Sequence, residues 1–360
     1  MAITIYVAST ERFSGKTALC IGLMHWFRRR GYTVGYMKPV SSTMARIIDG
    51  RAVDEDALFI RSTLGLSDPL ESMAPVIMTP DEVKAIVDGA DTHHFETRVV
   101  EAYRAVAKDK DAMILECGTS LREGRMLNLT AFRLSELLSA RALVVVPYVD
   151  TTQVIDDLLV AQMLLGNTMV GGVINAVFPH RITYAEEKVK PFMERFGVPI
   201  FANLPKEKLL LSVSVRELLE GLGGEILCCH NALDDLVETL MIGAMSVESA
   251  LTYFRRASNK AVITGGDRVD IQLAALETST RCLILTGDLR PSPLIIGLAE
   301  ERRVPLILTR YDTLKAIEII ENFFGKTRFH QQKKVEHFVA LLDKWMNFDA
   351  LDKALGQQVR

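Results

Sequence analysis

Short apolar runs alternate with longer amphipathic stretches along most of the chain. The apolar runs are rich in Val, Ile and Leu and predict buried strands over residues 3–9, 33–40, 112–117, 142–149, 170–177 and 198–205. The amphipathic stretches predict helices over residues 19–30, 54–65, 95–109, 129–140, 154–167 and 186–197. Continuous apolar strands separated by helices are typical of a parallel sheet covered on both faces. Residues 1–205 are therefore predicted to form a doubly wound, mostly parallel α/β domain.

The pattern of apolar and amphipathic segments changes after residue 205. Residues 212–228 read as strand, helix and strand, and further apolar runs at 259–264, 281–287 and 304–310 alternate with helical patterns. We expect a second, smaller α/β domain over residues 206–325. Residues 326–360 are expected to form a tail of one or two amphipathic helices.

Composition and charge narrow the function classes. The chain is 49% hydrophobic and 24% charged, with 42 Lys and Arg against 45 Asp and Glu, which excludes disorder and a broad nucleic-acid footprint. The N-terminus lacks a secretory signal, and no apolar run reaches the length of a membrane span. A cytoplasmic protein without nucleic-acid or membrane partners is expected. The five cysteines lack zinc-type spacing and are predicted to be reduced, buried thiols.

A candidate phosphate-binding loop follows the first predicted strand. Residues 9–17 read STERFSGKT and open a helix, which is the setting that such a loop requires. Gly15 allows close approach of a phosphate, Lys16 would reach the terminal phosphates, and the Thr17 hydroxyl would ligate Mg²⁺. Thr10 stands where the strict motif has its first glycine. The alternative is a chance match at a strand-to-helix junction.

Together with further matches in chain order, this loop resembles that of dethiobiotin synthetase. The family carries a glycine where this chain has Ser9, and residues 36–42 (YMKPVSS) are similar to its lysine-proline-valine substrate motif. Residues 56–58 (DAL) resemble its metal-binding helix start, and residues 114–118 (ILECG) resemble its strand-end glutamate followed by glycine. Asn175 stands where the family has an asparagine that reads adenine.

The resemblance implies a P-loop NTPase-like fold that binds ATP and Mg²⁺. Lys38 is the candidate catalytic residue, facing the γ-phosphate or an acidic substrate, or else it is a strand-end lysine that reaches solvent. Asp56 and Glu116 have structural alternatives as well, the first as an exposed helix-start charge and the second as a cap of the next turn. The implied nucleotide ligands are Thr10, Glu11, Ser14, Gly15, Lys16, Thr17 and Asn175. The implied metal ligands are Thr17, Asp56 and Glu116.

Three departures from the synthetase pattern affect the substrate side. Residues 119–124 (TSLREG) replace its glycine-rich turn, residues 148–151 (YVDT) lack its lysine, and Ala176 replaces an acidic residue. The residues that match nucleotide and metal ligands of the family are present, whereas those on the side of the acceptor substrate differ. Biotin synthesis is therefore not expected.

The second predicted domain contains a glycine motif between a strand and a helix. Gly265, Gly266, Asp267 and Arg268 form a candidate anion site, with Asp267 expected to cap the helix, although a surface salt bridge of Arg268 is an alternative. The stretch resembles the DRTGG domain, and residues 285–291 and 308–313 fit the same family.

A dethiobiotin-synthetase-like domain followed by a DRTGG domain resembles the N-terminal, regulatory region of long phosphotransacetylases. No acetyl-transfer domain follows here, so we do not expect phosphotransacetylase activity from this chain alone. Three functions are compatible with these features. One is an ATP- and Mg²⁺-binding regulatory module that senses a small anionic metabolite and assembles as a homo-oligomer. Another is an ATP-dependent ligase or carboxylase acting on a small carboxylate or carbamate, and the third is a structural scaffold with a relic P-loop.

Overall fold

The computed structural model describes residues 2–42, 45–48, 50–321 and 329–356. The chain divides into a first unit, residues 1–206 with 329–360, and a second unit, residues 207–328. The described part of the predicted tail therefore belongs to the first unit. Of the expected tail, residues 326–328 and 357–360 lie outside the described residues.

The first unit contains ten strands and nine α-helices before residue 207, among the described residues. The strands are β1 (Ile3–Ala8), β2 (Val34–Met37), β3 (Val40–Ser41), β4 (Ala45–Ile48), β5 (Arg51–Asp54), β6 (Val76–Ile77), β7 (Ala112–Glu116), β8 (Arg141–Pro147), β9 (Met169–Val177) and β10 (Ile200–Pro205). The helices are α1 (Lys16–Arg29), α2 (Glu55–Leu64), α3 (Leu70–Met73), α4 (Pro80–Val87), α5 (His93–Ala107), α6 (Ala131–Leu137), α7 (Thr151–Leu165), α8 (Ile182–Tyr184) and α9 (Lys190–Arg195).

Six of these strands form one parallel sheet in the order β10-β9-β8-β1-β7-β2. In register, Val7 of β1 pairs with Glu116 of β7, and Val34 of β2 pairs with Ala112. The chain leaves β1, passes β7 and enters β2, so the direction of winding reverses beside β1. Ligands of open parallel sheets bind at such a reversal, at the carboxyl ends of the strands. The predicted doubly wound, mostly parallel sheet is confirmed.

The second unit holds a smaller sheet. The strands of the second unit are β11 (Val213–Ser214), β12 (Glu225–Cys228), β13 (Leu236–Val237), β14 (Thr239–Ile242), β15 (Lys260–Gly265), β16 (Thr280–Thr286) and β17 (Leu306–Leu308). Of these, β11 and β13 pair with each other as a separate two-stranded sheet. Its helices are α10 (Val215–Leu222), α11 (Val247–Phe254), α12 (Val269–Leu276), α13 (Pro293–Arg302) and α14 (Thr313–Glu321). The sheet order is β12-β17-β16-β15-β14, and β12 runs antiparallel to its neighbour.

Both faces of the second sheet are covered. Val262 and Leu283 belong to one apolar cluster, and their chain neighbours Ile263 and Cys282 belong to another. Side chains alternate between faces along a strand, so each strand contributes to two cores. This explains why these strands read as continuous apolar runs.

The tail consists of α15 (Gln332–Trp345) and α16 (Phe348–Ala354), and both helices pack on the first unit. A β-carbon at Gly22 in α1 would lie 2.5 Å from Leu342 of α15, so the two helices approach closely at this glycine. The ring of Trp26 stacks on Phe348 with centroids 4.6 Å apart. The predicted helical tail is confirmed.

Candidate functional site

The turn from β1 into α1 contains two residues with left-handed backbone conformation, Phe13 at φ 54° and Gly15 at φ 97°. Gly15 is the N-cap of α1, so no side chain caps the helix, and its first turn has no acidic residue. A β-carbon at Gly15 would lie 2.3 Å from Nδ2 of Asn175, which explains the glycine. A helix start of this kind leaves its first N–H groups available to an anion.

Lys16 lies folded over this loop and is 7% exposed. Its Nζ donates to the carbonyl oxygens of Glu11 and Thr119, each at 3.1 Å, and lies 3.5 Å from the Ser14 hydroxyl. No ion pair of Lys16 occurs within the described part of the chain. Burial lowers the pKa of this ammonium group, and the more distant carboxylates of Glu116 and Asp56 offset that effect only in part. Lys16 is thus a buried cation held only by neutral oxygens.

Thr10 and Asn175 complete the loop. The Thr10 hydroxyl is buried and has no hydrogen-bond partner among the described residues, although buried hydroxyls normally have one. Asn175, two residues before the end of β9, donates from Nδ2 to the carbonyl oxygen of Ser14 at 2.9 Å, and its Oδ1 accepts from the N–H of Ala176. The amide of Asn175 thus supports the loop backbone here, and the predicted contact with adenine stays a prediction. The Glu11 carboxylate accepts a hydrogen bond from Nε2 of Gln153 at 2.8 Å.

Glu116, the last residue of β7, is 1% exposed and accepts two hydrogen bonds. One comes from the Thr17 hydroxyl at 2.7 Å and the other from the Tyr36 hydroxyl at 2.8 Å. Burial, and after it the nearby Asp56 carboxylate, raise the pKa of Glu116 to about 7. The structure therefore brings two of the three predicted metal ligands, Thr17 and Glu116, into direct contact.

Asp56, the third predicted metal ligand, belongs to a buried charge cluster. Its Oδ2 lies 2.7 Å from Nζ of Lys38, and its Oδ1 lies 3.0 Å from Nε2 of His330 in the tail. Although burial opposes ionisation, Lys38 and His330 hold the pKa of Asp56 below its ordinary value. The alternative of an exposed helix-start charge is therefore wrong for Asp56.

Lys38 has a second carboxylate partner that the sequence did not identify. Its Nζ lies 3.1 Å from Oδ2 of Asp54, a fully buried residue that also accepts from the Ser41 hydroxyl at 2.6 Å. Asp54 caps α2 through the N–H of Ala57 at 2.8 Å. Burial alone would lower the pKa of Lys38, but Asp56 and Asp54 together raise it. Lys38 is 4% exposed, so the alternative of a solvent-reaching lysine is wrong.

The donor set of Thr17, Asp56 and Glu116 fits Mg²⁺. All its candidate ligand atoms are oxygens, which this hard cation prefers, and a nucleotide's phosphates and water would supply the rest of its shell. A nearby cation would also relieve the repulsion between the two carboxylates that contributes to the raised pKa of Glu116. Within the described residues, no group of three His, Cys, Asp or Glu could hold a metal by itself. The role of this trio in metal binding stays a prediction.

A cleft of about 240 Å³ opens next to the loop, at the carboxyl ends of β8 and β9. Its walls are formed by Tyr148, Val149, Asp150, Thr151, Phe178, His180 and Arg181. The rings of Tyr148 and Phe178 meet edge to face at 6.1 Å. The N–H of Tyr148 donates to the carbonyl oxygen of Asn175, and Asn175 itself contacts the loop, so Asn175 connects the cleft to the loop. The sequence pattern did not predict this cleft, although aromatic residues follow both strands.

The glycine motif of the second unit is closely packed. A β-carbon at Gly266 would lie 1.8 Å from the carbonyl oxygen of Leu289. Arg268 pairs with Asp270 through two contacts of 3.0 Å, so the salt-bridge alternative describes this arginine. The predicted cap by Asp267 is wrong, because Arg268 occupies the N-cap of α12 and no side chain caps the helix. The buried Gln272 was not predicted from the sequence.

Gln272 explains part of the packing in this motif. It is fully buried, and its Nε2 donates to the carbonyl oxygens of Gly265 and Gly266 at 3.1 and 2.9 Å. These bonds help to satisfy the carbonyl groups at the point where β15 ends and the turn toward α12 begins. Anion binding by residues 265–268 stays a prediction.

Comparison with known proteins assigns both parts of the chain. The AAA domain profile matches residues 3–214, which is more than half of the chain. The chain belongs to the AAA domain family. The DRTGG domain profile matches residues 217–323. The resemblance of the second domain to DRTGG is thereby confirmed.

Curated relatives confirm the other resemblances. Phosphate acetyltransferase of Synechocystis is 24% identical over 374 residues, covering 98% of this chain and 51% of the relative. ATP-dependent dethiobiotin synthetase of Clostridium kluyveri is 26% identical over 119 residues, covering 33% of this chain and 49% of the synthetase. The chain thus spans about half the length of these relatives, and it is related to the N-terminal region of phosphate acetyltransferases.

Among solved structures, the regulatory region of Clostridium perfringens pyrophosphatase, with CBS and DRTGG domains, is 27% identical over 33% of this chain and 52% of that chain, with a TM-score of 0.29. In the described residues, every helix is too short or too polar to cross a membrane.

Proposed function

We propose that the first unit binds ATP with Mg²⁺ and serves as a nucleotide-responsive regulatory module. The observation that carries the proposal is the state of Lys16, a buried ammonium group with only neutral oxygens as partners. A polyphosphate in the loop supplies the missing negative charge, and such charge-assisted contacts are about twice as strong as neutral ones. The unpartnered hydroxyl of Thr10 and the uncapped start of α1 add donors for the same phosphates.

The neighbouring groups divide the remaining tasks. Thr17, Glu116 and Asp56 would hold Mg²⁺, which supplies positive charge against the phosphate oxygens. Tyr36 keeps Glu116 oriented through its hydrogen bond of 2.8 Å. The cleft beside Asn175 has aromatic walls suited to a planar base, with the Phe178 ring and Tyr148 on its sides.

A regulatory role is favoured over ligase chemistry by the state of Lys38. A ligase of the dethiobiotin synthetase type would need this lysine to orient an acidic acceptor. Here Asp54 and Asp56 neutralise it within 3.1 Å, so an incoming carboxylate would meet net negative charge. The second support is the DRTGG domain that follows, together with the match of nearly the whole chain to about half of a phosphate acetyltransferase. A region of this kind within a longer enzyme suits a regulatory role.

The test is direct nucleotide binding by calorimetry with and without Mg²⁺. Lys16→Ala removes one charge-assisted contact and is expected to weaken ATP affinity by about 1–3 kcal/mol, or roughly 5- to 150-fold. Lys84→Ala, an exposed lysine on α4, is the matched control and should bind as the parent does. Equal affinity of the parent and Lys16→Ala would refute the assignment of the loop.

Turnover separates regulation from catalysis. ADP release is measured with Mg²⁺ and a panel of small carboxylic acids. The regulatory proposal expects binding without acid-stimulated release. Acid-stimulated release that Lys16→Ala loses and Lys84→Ala keeps would instead establish the ligase.

A further inference from the structure

The C-terminal segment reaches into the candidate metal site. His330 lies two residues before α15, and its Nε2 lies 3.0 Å from Oδ1 of Asp56. Its ring stacks on Phe59 of α2, with centroids 4.7 Å apart and planes tilted by 27°. A residue more than 270 positions away in sequence therefore contacts a predicted metal ligand.

Several contacts hold the tail in this position. Asp352 of α16 is buried and lies 2.7 Å from a guanidinium nitrogen of Arg30. The N–H of Asn347 donates to the carbonyl oxygen of Phe201 at 2.8 Å. These contacts join the tail to both α1 and β10, so its docking does not depend on His330. His330 can therefore leave Asp56 while α15 and α16 stay bound.

Both carboxylate oxygens of Asp56 are engaged in this state, Oδ2 by Lys38 and Oδ1 by His330. Direct coordination of Mg²⁺ needs one of these oxygens. Lys38 is the harder partner to displace, because it is nearly fully buried and also paired with Asp54. Removing Lys38 would leave two buried carboxylates uncompensated, which is costly. His330 is partly exposed, so its hydrogen bond to Asp56 is the contact that a metal ion can replace more easily.

We propose that His330 and Mg²⁺ compete for Asp56, so that binding of the Mg²⁺–nucleotide complex releases residues 329–331 from the site. This inference rests on the proposed function. The second unit ends at residue 328, so the released segment follows it directly in the chain. Nucleotide binding at the phosphate loop thereby changes the contacts of the segment that joins the two units, because Asp56 binds either His330 or Mg²⁺.

Two substitutions separate the hydrogen bond from the ring contact. His330→Phe keeps an aromatic ring against Phe59 but removes the N–H that binds Asp56, whereas His330→Gln keeps a donor and removes the ring. With Mg²⁺, His330→Phe is expected to bind ATP about tenfold more tightly than the parent, because it loses a competing hydrogen bond to a charged group. In EDTA its affinity for ATP is expected to equal that of the parent. His330→Gln is expected to bind within about twofold of the parent under both conditions.

Amide hydrogen exchange gives a readout that is independent of affinity. In the parent, ATP with Mg²⁺ is expected to raise exchange in the first turn of α15, and ATP with EDTA is not. Asp343→Asn, which alters the exposed pair of α15 with Arg29, is the matched control and should leave the Mg²⁺ dependence unchanged. Urea unfolding of each variant verifies that the first unit is folded.

The outcomes are distinguishable. If Lys16→Ala weakens nucleotide binding but His330→Phe binds as the parent does with Mg²⁺, or more weakly, the competition is refuted and the proposed function stands. Unchanged exchange in α15 on binding of ATP with Mg²⁺ also refutes the competition. If no nucleotide binds to any variant with or without Mg²⁺, both the proposed function and the competition are refuted.

Discussion

The buried carboxyl group of Glu116 makes the stability of the first unit depend on pH. Its pKa rises from 4.5 to about 7 because of burial, assisted by repulsion from Asp56. The folded protein thus binds this proton more tightly than the unfolded chain does. The resulting stability is complete below pH 4.5 and is lost as the pH rises to about 7. The full shift of this pKa corresponds to a change of about 3 kcal/mol in the free energy of unfolding.

Replacing Glu116 by Gln removes the titration and keeps the shape of the side chain. The hydroxyls of Thr17 and Tyr36 can rotate to match the amide, since each can donate or accept. Near pH 4 the variant and the parent are expected to differ little in free energy of unfolding. Near pH 8 the Gln variant is expected to be more stable by about 3 kcal/mol, because the parent then holds a buried, ionised Glu116.

The assay is urea unfolding between pH 4 and 8 in EDTA, followed by tryptophan fluorescence. Both tryptophans of the chain, Trp26 and Trp345, lie in the first unit, so the signal reports on the unit that contains Glu116. Glu194→Gln, at an exposed position, is the control and should follow the parent at every pH. Parallel pH profiles for the parent and Glu116→Gln would refute the reasoning.

Two further substitutions test the charge cluster and the loop by the same unfolding assay. Lys38→Met leaves Asp54 and Asp56 buried without their cation and is expected to destabilise the first unit by about 3–5 kcal/mol; a loss below about 1 kcal/mol would contradict the buried cluster. Gly15→Ala places a β-carbon 2.3 Å from Nδ2 of Asn175 at φ 97° and should cost about 1–3 kcal/mol. Unchanged stability of that variant would contradict the loop geometry.

The order of strands and helices followed from hydrophobic patterning because buried parallel strands are apolar on both faces. The six predicted strands of the first domain correspond to β1, β2 and β7–β10. The hairpin of β4 and β5 escaped prediction, since its residues carry no continuous apolar run. The antiparallel pairing of β12 with β17 was also invisible, because strand direction at a sheet edge depends on connections and not on local composition.

Motif spacing was sufficient to bring Lys16, Thr17 and Glu116 to one end of the sheet. These residues follow or end strands that are neighbours in a parallel sheet, and such ends lie together whatever the details of packing. The sequence could not assign Asp54, which reads as an ordinary helix-start acid. Its role depends on Lys38 meeting it across 3.1 Å in a buried environment.

Local sequence by itself determined the α/β class, the phosphate loop and the DRTGG motif, because each depends on short-range periodicity or on a few adjacent residues. Tertiary structure alone decided which charges are neutralised and which polar side chain supports the loop. Asn175 supports the loop, Lys38 is held by two aspartates, and His330 of the tail contacts Asp56. Distances between residues far apart in sequence set these electrostatic relations, and no local pattern encodes them.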